Sequence, residues 1–259
     1  MSDVLLVEKL DGHVAVMTVN RPDKLNALNG EVRCAMFEAL DDLAADDDVR
    51  VVVLTGAGEK AFIAGADIGE FKDARPVQQY RTMHRGNVFL AMETFPKPVI
   101  AMINGFCLGG GCEIAMGCDI RVAADTARLG QPEINLGLIP GGGGTQRLPR
   151  LVGEGRAMRM IMTGEMLGAD QAAAIGLVDD VFPADELREK TLEMARLIGS
   201  RSPIALQAAK ESILAARRMP LDEGLKFERA WFSLLFSTDD MDEGVSAFLE
   251  KRAADFKGS

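Results

Sequence analysis

The chain has 259 residues, 47% of them apolar, and a formal net charge of −10. That length fits one large domain, or one domain with a helical appendage, and supplies enough apolar side chains for a sizeable core. The acidic balance argues against nonspecific nucleic-acid binding, which relies on Lys and Arg to neutralise phosphates.

No run of about 18 apolar residues occurs, so no membrane span and no membrane partner are expected. Met1-Ser2-Asp3-Val4 lacks a basic segment followed by an apolar stretch and leads directly into a strand-like run, so a cytoplasmic protein without a leader is the simplest reading. Cys34, Cys107, Cys112 and Cys118 form no C-x-x-C pair and read as reduced, buried thiols. With only His13 and His84, a metal site built mainly from histidine is not expected.

Taken in order, His13 to Asn20 alternates apolar and polar residues as a half-buried strand does. Arg21-Pro22-Asp23 is a turn, Asn29 is a helix N-cap, and Val32 to Leu43 has helical spacing. Val49 to Thr55 reads as a buried strand, and Gly56 to Gly69 as a glycine-rich loop. Val77 to Phe95 predicts one helix, stopped by Pro96 and Pro98. Val99 to Ile103 is a strand, Asn104 to Gly109 a turn, Gly110 to Gly117 a helix, and Asp119 to Ala124 a strand. After about residue 147 the pattern turns helical: 156–163, 169–175, 185–200, 203–217, 221–237 and 241–252, with one strand at Val178 to Phe182. The alternation predicts an α/β core followed by a mostly helical C-terminal region, without a low-complexity linker or an internal repeat.

Several familiar chemistries are poorly supported. Gly137 to Gly142 has P-loop glycine spacing, but Gly143 and Gly144 stand where the phosphate-binding Lys and Ser or Thr belong. There is no G-x-G-x-x-G opening a helix after a strand, and no G-x-S-x-G elbow. His13 beside a turn and His84 in a helix read as structural or exposed, leaving a Ser-His-Asp triad without its base.

Two glycine-rich segments remain. In Asn104-Gly105-Phe106-Cys107-Leu108-Gly109-Gly110-Gly111-Cys112-Glu113 a strand ends and three glycines open a helix. Unpaired N–H groups and the helix dipole make such a start positive, so Gly110 N–H could donate to an oxygen gaining charge, with Glu113 within one turn. Close packing of an ordinary helix start reads the same residues equally well. In Gly130-Gln131-Pro132-Glu133, followed by Gly137 to Gly144, Glu133 stands between a proline and Ile134. Partial desolvation there would raise its pKa and suit a general acid; an exposed loop glutamate is the alternative. The short connection between Glu113 and Glu133 permits both to reach one cleft.

Together these segments resemble the crotonase (enoyl-CoA hydratase/isomerase) superfamily over nearly the whole chain. The resemblance runs through Asn20-Arg21-Pro22, Leu25-Asn26-Ala27-Leu28, Ala64-Gly65-Ala66-Asp67-Ile68, Gly109 to Glu113, Gly130 to Glu133, Pro140 to Leu148 and Phe248-Leu249-Glu250-Lys251-Arg252. It implies a spiral of stacked ββα units over residues 1–195 and a helical region, 196–259, that builds trimers or hexamers. It implies an oxyanion hole from the backbone N–H groups of Ala66 and Gly110, and a pair of acids, Glu113 and Glu133, that handle one water. Because relatives that isomerise, hydrolyse or dehalogenate commonly lack one of the two glutamates, it favours an enoyl-CoA hydratase.

By the same resemblance, coenzyme A enters as part of an acyl-CoA thioester substrate, and no metal or redox cofactor is implied. Its adenine would lie against the backbone of Ala64, Asp67 and Ile68, near Ala66 and Gly110. Lys24 and Leu25 match the segment beside pantetheine and phosphates, although a surface turn explains them as well; Lys257 is a candidate for a neighbouring subunit's CoA phosphates. Gly69 stands where many hydratases carry Lys or Glu. Phe71, Met83, Val88, Met92, Ile139 and Phe236 could line an acyl tunnel, but each reads first as ordinary core. Double-bond isomerisation or a dedicated dehydratase for a polar acyl group is the alternative chemistry. An RNA-binding relative is the alternative class, disfavoured by the acidic charge.

Overall fold

Period-two alternation builds the first sheet, and three-residue strands that pair only across the fold build a second. In the computed structural model, which describes residues 3–72, 74–84 and 87–259, the chain begins with β1 (Leu5–Leu10), β2 (Val14–Val19), α1 (Gly30–Ala44), β3 (Val51–Gly56) and β4 (Ala61–Ile63). There follow α2 (Pro76–His84), α3 (Val88–Thr94), β5 (Val99–Ile103), β6 (Phe106–Leu108), α4 (Gly110–Gly117), β7 (Ile120–Ala124) and β8 (Arg128–Gly130). Next come α5 (Gly144–Val152), α6 (Glu154–Thr163), β9 (Met166–Gly168), α7 (Ala169–Ala174), β10 (Asp180–Phe182) and α8 (Leu187–Gly199). The chain closes with α9 (Pro203–Ala215), α10 (Leu221–Leu235) and α11 (Asp239–Glu250).

The first sheet has the order β1-β2-β3-β5-β7-β10 and is parallel except for the β1–β2 hairpin. Both faces are covered. Ala15, Met17, Val52, Leu54, Val99, Ala101 and Ile103 join a core with α1, α3 and α4. Their neighbours Val14, Val16, Val51, Val53, Ile100 and Met102 pack with Leu187, Leu192 and Ala195 of α8. A one-residue slip would exchange these two sets, and each buried Val, Leu or Ile is worth about 1.5–3 kcal/mol, so the register is strongly fixed.

The second sheet has the order β4-β6-β8-β9, parallel apart from β9. Three times the chain runs a long strand in the first sheet, then a short one in the second, then helix: β3–β4, β5–β6 and β7–β8. This is the expected spiral of stacked ββα units. It brings the C-terminal ends of β4, β6 and β8 side by side, where parallel strands present loops and helix starts to a common cleft.

The differences from sequence expectation have local causes. The single helix expected over 77–95 is two, because Asn87 starts a new one by accepting from Leu90 N–H at 3.1 Å; Arg85 and Gly86, through which the expected helix would run, lie outside the described residues. The loop 56–69 and the turn 104–109 each contain a short strand, and α5 carries no clear sequence signal because three glycines precede it, a fourth opens it and Pro149 lies inside it. Cys34 is exposed rather than buried, since the core-facing stripe of α1 is Val32, Met36, Leu40 and Leu43; the other three cysteines are buried and free. The expected boundary at 195/196 falls inside α8, which covers one face of the first sheet. Beyond it, α10 has no buried residue, and Phe232, Leu234, Phe236, Phe248 and Leu249 of the last two helices and their link are all exposed.

Candidate active site

Each functional position follows a short strand of the second sheet: Ala66 after β4, Gly110 after β6, Glu133 after β8. The loop after β4 is laced to the segment Leu25 to Leu28. Ala64 N–H donates to Leu25 O at 3.1 Å, Leu28 N–H to Gly65 O at 2.8 Å, and Asp67 N–H to Leu28 O at 2.8 Å. Ala66 therefore bridges Leu28 in parallel register. In that pattern the flanking residues make the bonds, so the N–H of Ala66 itself faces away from Leu28.

It faces the start of α4. A methyl group placed on Gly110 would lie 3.7 Å from Ala66 N. Gly110 is the first residue of α4, and the first main-chain bond into that turn is Glu113 N–H to Gly109 O at 2.9 Å. Among the described residues neither Ala66 N–H nor Gly110 N–H has a hydrogen-bond partner. Two free donors, one at a helix N-terminus, thus lie close together, as a candidate oxyanion site requires.

Asn26 underwrites this geometry. Fully buried and at φ +58, it donates to Ala57 O at 3.0 Å and Ala61 O at 2.7 Å, while its side-chain oxygen accepts from Arg21 N–H at 3.0 Å. Asn26→Ala should lower the free energy of unfolding by about 3 kcal/mol, because it strands buried polar groups. An unchanged urea midpoint would contradict that account.

Glu113 is 2% exposed, and its Oε1 accepts from Gly144 N–H, the first residue of α5, at 2.7 Å. Burial pushes its pKa up, while the N–H groups of Gly144, Gly142 and Gly143 and the charge of Arg147 pull the other way. Glu133 lies in the 3-10 turn Pro132–Leu136 and reaches back to the start of α4: a methyl on Gly109 would sit 3.0 Å from its Oε1. Burial chiefly raises the Glu133 carboxyl to about 7; its own backbone N–H pulls the other way, and the nearby Glu113 charge adds a smaller push upward. Fully buried Gln131 turns its amide nitrogen to Glu133, 3.0 and 3.1 Å from the two carboxylate oxygens, since the opposite orientation would set oxygen against oxygen. The two acids therefore share a desolvated region in which burial raises both, with main-chain N–H groups and Arg147 opposing the rise at Glu113.

The residues expected to touch coenzyme A lie on and beside the two laced segments that flank Ala66. Lys24 and Leu25 end a 3-10 turn and are exposed, Leu25 in the left-handed region at φ +50 and bonded through its carbonyl to Ala64. Ile68 is exposed, and Asp67 is engaged throughout: its carboxylate pairs with Arg21 at 3.0 Å, its N–H donates to Leu28 O and its carbonyl accepts from Glu70 N–H. Lys257 pairs with Asp255 at 2.6 Å, in a tail held where Asp240 accepts from Lys257 N–H at 2.7 Å.

Of the tunnel candidates, Val88 and Met92 are core, while Ile139 and Phe236 are exposed, Phe236 against Phe232. Phe71 is half-buried and Met83 lies outside the residues whose side chains are described, as does His84. His13 is exposed, its ring 3.0 Å from Asp48 O. Gln131 and Arg147 received no role from sequence, although each lies inside a motif that carried the resemblance. Among the described residues no group of three or more His, Cys, Asp or Glu is placed to hold a metal, and no helix is long and apolar enough to cross a membrane.

Comparison with known proteins matches residues 9–259 to the family model described as enoyl-CoA hydratase/isomerase. The short-chain-enoyl-CoA hydratase of Clostridium acetobutylicum is 47% identical, over 96% of this chain and 95% of that one. The 2,3-dehydroadipyl-CoA hydratase of Escherichia coli is 43% identical, over 98% of each. The crystal structure of an enoyl-CoA hydratase from Bacillus anthracis superposes with a TM-score of 0.95 at 41% identity, covering 99% of this chain and all of that one.

Proposed function

The chain belongs to the enoyl-CoA hydratase/isomerase family, and from that premise we propose that it is a hydratase adding water reversibly across the 2-trans double bond of an enoyl-CoA thioester. The observation that carries this reading is the pairing of Glu113 and Glu133 beside the two free N–H groups of Ala66 and Gly110.

The thioester oxygen accepts from Ala66 and Gly110, which polarises the conjugated double bond. Glu113, whose ionised form Gly144 N–H favours, takes a proton from water as the water oxygen bonds to Cβ. The electron pair of the double bond moves onto the thioester as an enolate, whose charge the two N–H groups stabilise; one such donor is worth about 3 kcal/mol. Glu133 then gives its proton to Cα. Both acids approach from one side, so the addition is syn. The proton gained by Glu113 and lost by Glu133 re-equilibrates before the next turnover. No cofactor is needed beyond the coenzyme A the substrate carries.

Lys24, Leu25, Ala64, Asp67 and Ile68 would seat that coenzyme A beside Ala66. The exposed apolar residues of α10 and α11 favour assembly into trimers or hexamers through the C-terminal helices, with Lys257 a candidate contact to a neighbour's ligand. A cytoplasmic setting suits this chemistry. Hydration of an enoyl group on a polar acyl chain is the second reading, favoured by the similarity to the 2,3-dehydroadipyl-CoA hydratase.

Crotonyl-CoA should lose its enoyl absorbance on adding the protein; no loss at high enzyme concentration would remove short-chain hydration. The active form carries one proton on the acid pair, and the overall equilibrium consumes no proton. In both directions kcat/KM should therefore fall about tenfold per unit as pH rises above the Glu133 value of about 7. Glu133→Gln should erase that limb from whatever activity is left, and a limb that persists unchanged would assign it elsewhere.

A further inference from the structure

The turn that presents Gly144 N–H to Glu113 is built from four successive glycines, Gly141 to Gly144, the residue type with the most backbone freedom to lose. Arg147, one turn into α5, folds its guanidinium back over it. Its Nη1 donates to Gly142 O at 2.7 Å and its Nη2 to Phe89 O at 3.4 Å, while Nε at 2.9 Å and Nη2 both grip the Glu93 carboxylate of α3. Glu93 also accepts from Arg218 at 3.1 Å. Arg147 and Glu93 are only 13% and 15% exposed. Gly143 lies at φ +114, and Arg147 Nη1 occupies the space that a side chain there would need.

We propose that Arg147, anchored by Glu93, is a positioning residue for Glu113: its fork locks the glycine turn so that Gly144 N–H stays aimed at the Glu113 carboxylate. This rests on the reading in which Glu113 takes the water proton. Arg147 spends its guanidinium on Gly142, Phe89 and Glu93 rather than on a reacting group. It acts by closing off other conformations of the turn, and its charge favours ionised Glu113. The charged groups facing Glu113 are Glu133 from the 3-10 turn and Arg147 from α5, with Glu93 of α3 behind Arg147. A lysine could supply the charge but could not bridge a carbonyl and a carboxylate with one planar fork.

The test uses the full chain labelled with carbon-13 at glutamate carboxyls, with the Glu113 signal assigned by its loss in Glu113→Gln. In Arg147→Gln the Glu113 titration should move to higher pH. With crotonyl-CoA, kcat should fall about 10- to 100-fold, with KM within about threefold, as expected when a reacting group is misplaced rather than binding lost. Arg147→Lys, the milder change should Arg147→Gln fold poorly, should keep the Glu113 titration near its original position yet recover only part of kcat. An unmoved Glu113 titration in Arg147→Gln, or full kcat in Arg147→Lys, would overturn the proposal and leave the ion pair as a tie between α3 and α5. If the unmutated protein hydrates no enoyl thioester while the Glu113 titration still follows Arg147, the hydratase reading fails and the positioning stands.

Discussion

Glu113→Gln and Glu133→Gln should each lower kcat for enoyl-CoA hydration by about 10²- to 10⁴-fold, the usual worth of a positioned acid or base, while binding of the CoA ester persists. Glutamine keeps the shape and an acceptor oxygen, so Gly144 N–H still finds a partner at 113 and the buried N–H is not stranded. What is lost is the capacity to take or give a proton. In Glu113→Gln the water is not deprotonated as it adds; in Glu133→Gln the enolate forms but lacks its proton source at Cα. Because the two serve successive steps of one addition, the double variant should cost far less than the product of the single effects. Single-turnover kinetics with crotonyl-CoA and calorimetric titration with a saturated acyl-CoA separate chemistry from binding. Full turnover in either variant would take that residue out of the reaction.

The first sheet was legible because its strands are long enough to show a pattern, alternation in 13–20 and apolar runs in 49–55 and 99–103: these segments and 119–124 each fall on an observed strand. The second sheet was not. Three residues such as Ala61–Ile63 or Phe106–Leu108 hold no period, and their pairing is decided by successive turns of the spiral meeting in space. That sheet is what lines up Ala66, Gly110 and Glu133, so sequence motifs could name those residues while their convergence could not be read from local pattern. The environment of Glu133 was partly readable, since a carboxylate set between proline and isoleucine invites desolvation. The role of Arg147 was not, because Glu93 lies 54 residues away and Phe89 58. Cys34 misled for a simpler reason: cysteine is usually buried, but the stripe of α1 that faces the core passes it by.

Gly111→Ala should be a damaging single methyl group at the site itself. It would lie 2.8 Å from the Ile63 carbonyl carbon and nearer still to its oxygen. The obstacle is main chain in a fully buried strand, so no rotamer change relieves it. The start of α4 must move away from β4, by on the order of 1 Å, and overpacking of this kind costs about 1–3 kcal/mol of stability. The functional loss should be larger than stability accounts for. Gly110 N–H rides on the displaced turn and Ala66 N–H on the loop left behind, so the two donors no longer share one oxygen. Loss of one oxyanion donor lowers kcat about 10²- to 10³-fold. Gly155→Ala is the control: open space surrounds it in α6, and a methyl there should stabilise by about 0.4–1 kcal/mol without touching turnover. Assays well below the melting transition of both variants keep unfolding out of the comparison. A folded Gly111→Ala protein with undiminished kcat would mean that the enolate charge does not rest on Gly110, because the steric argument leaves that N–H nowhere else to stay.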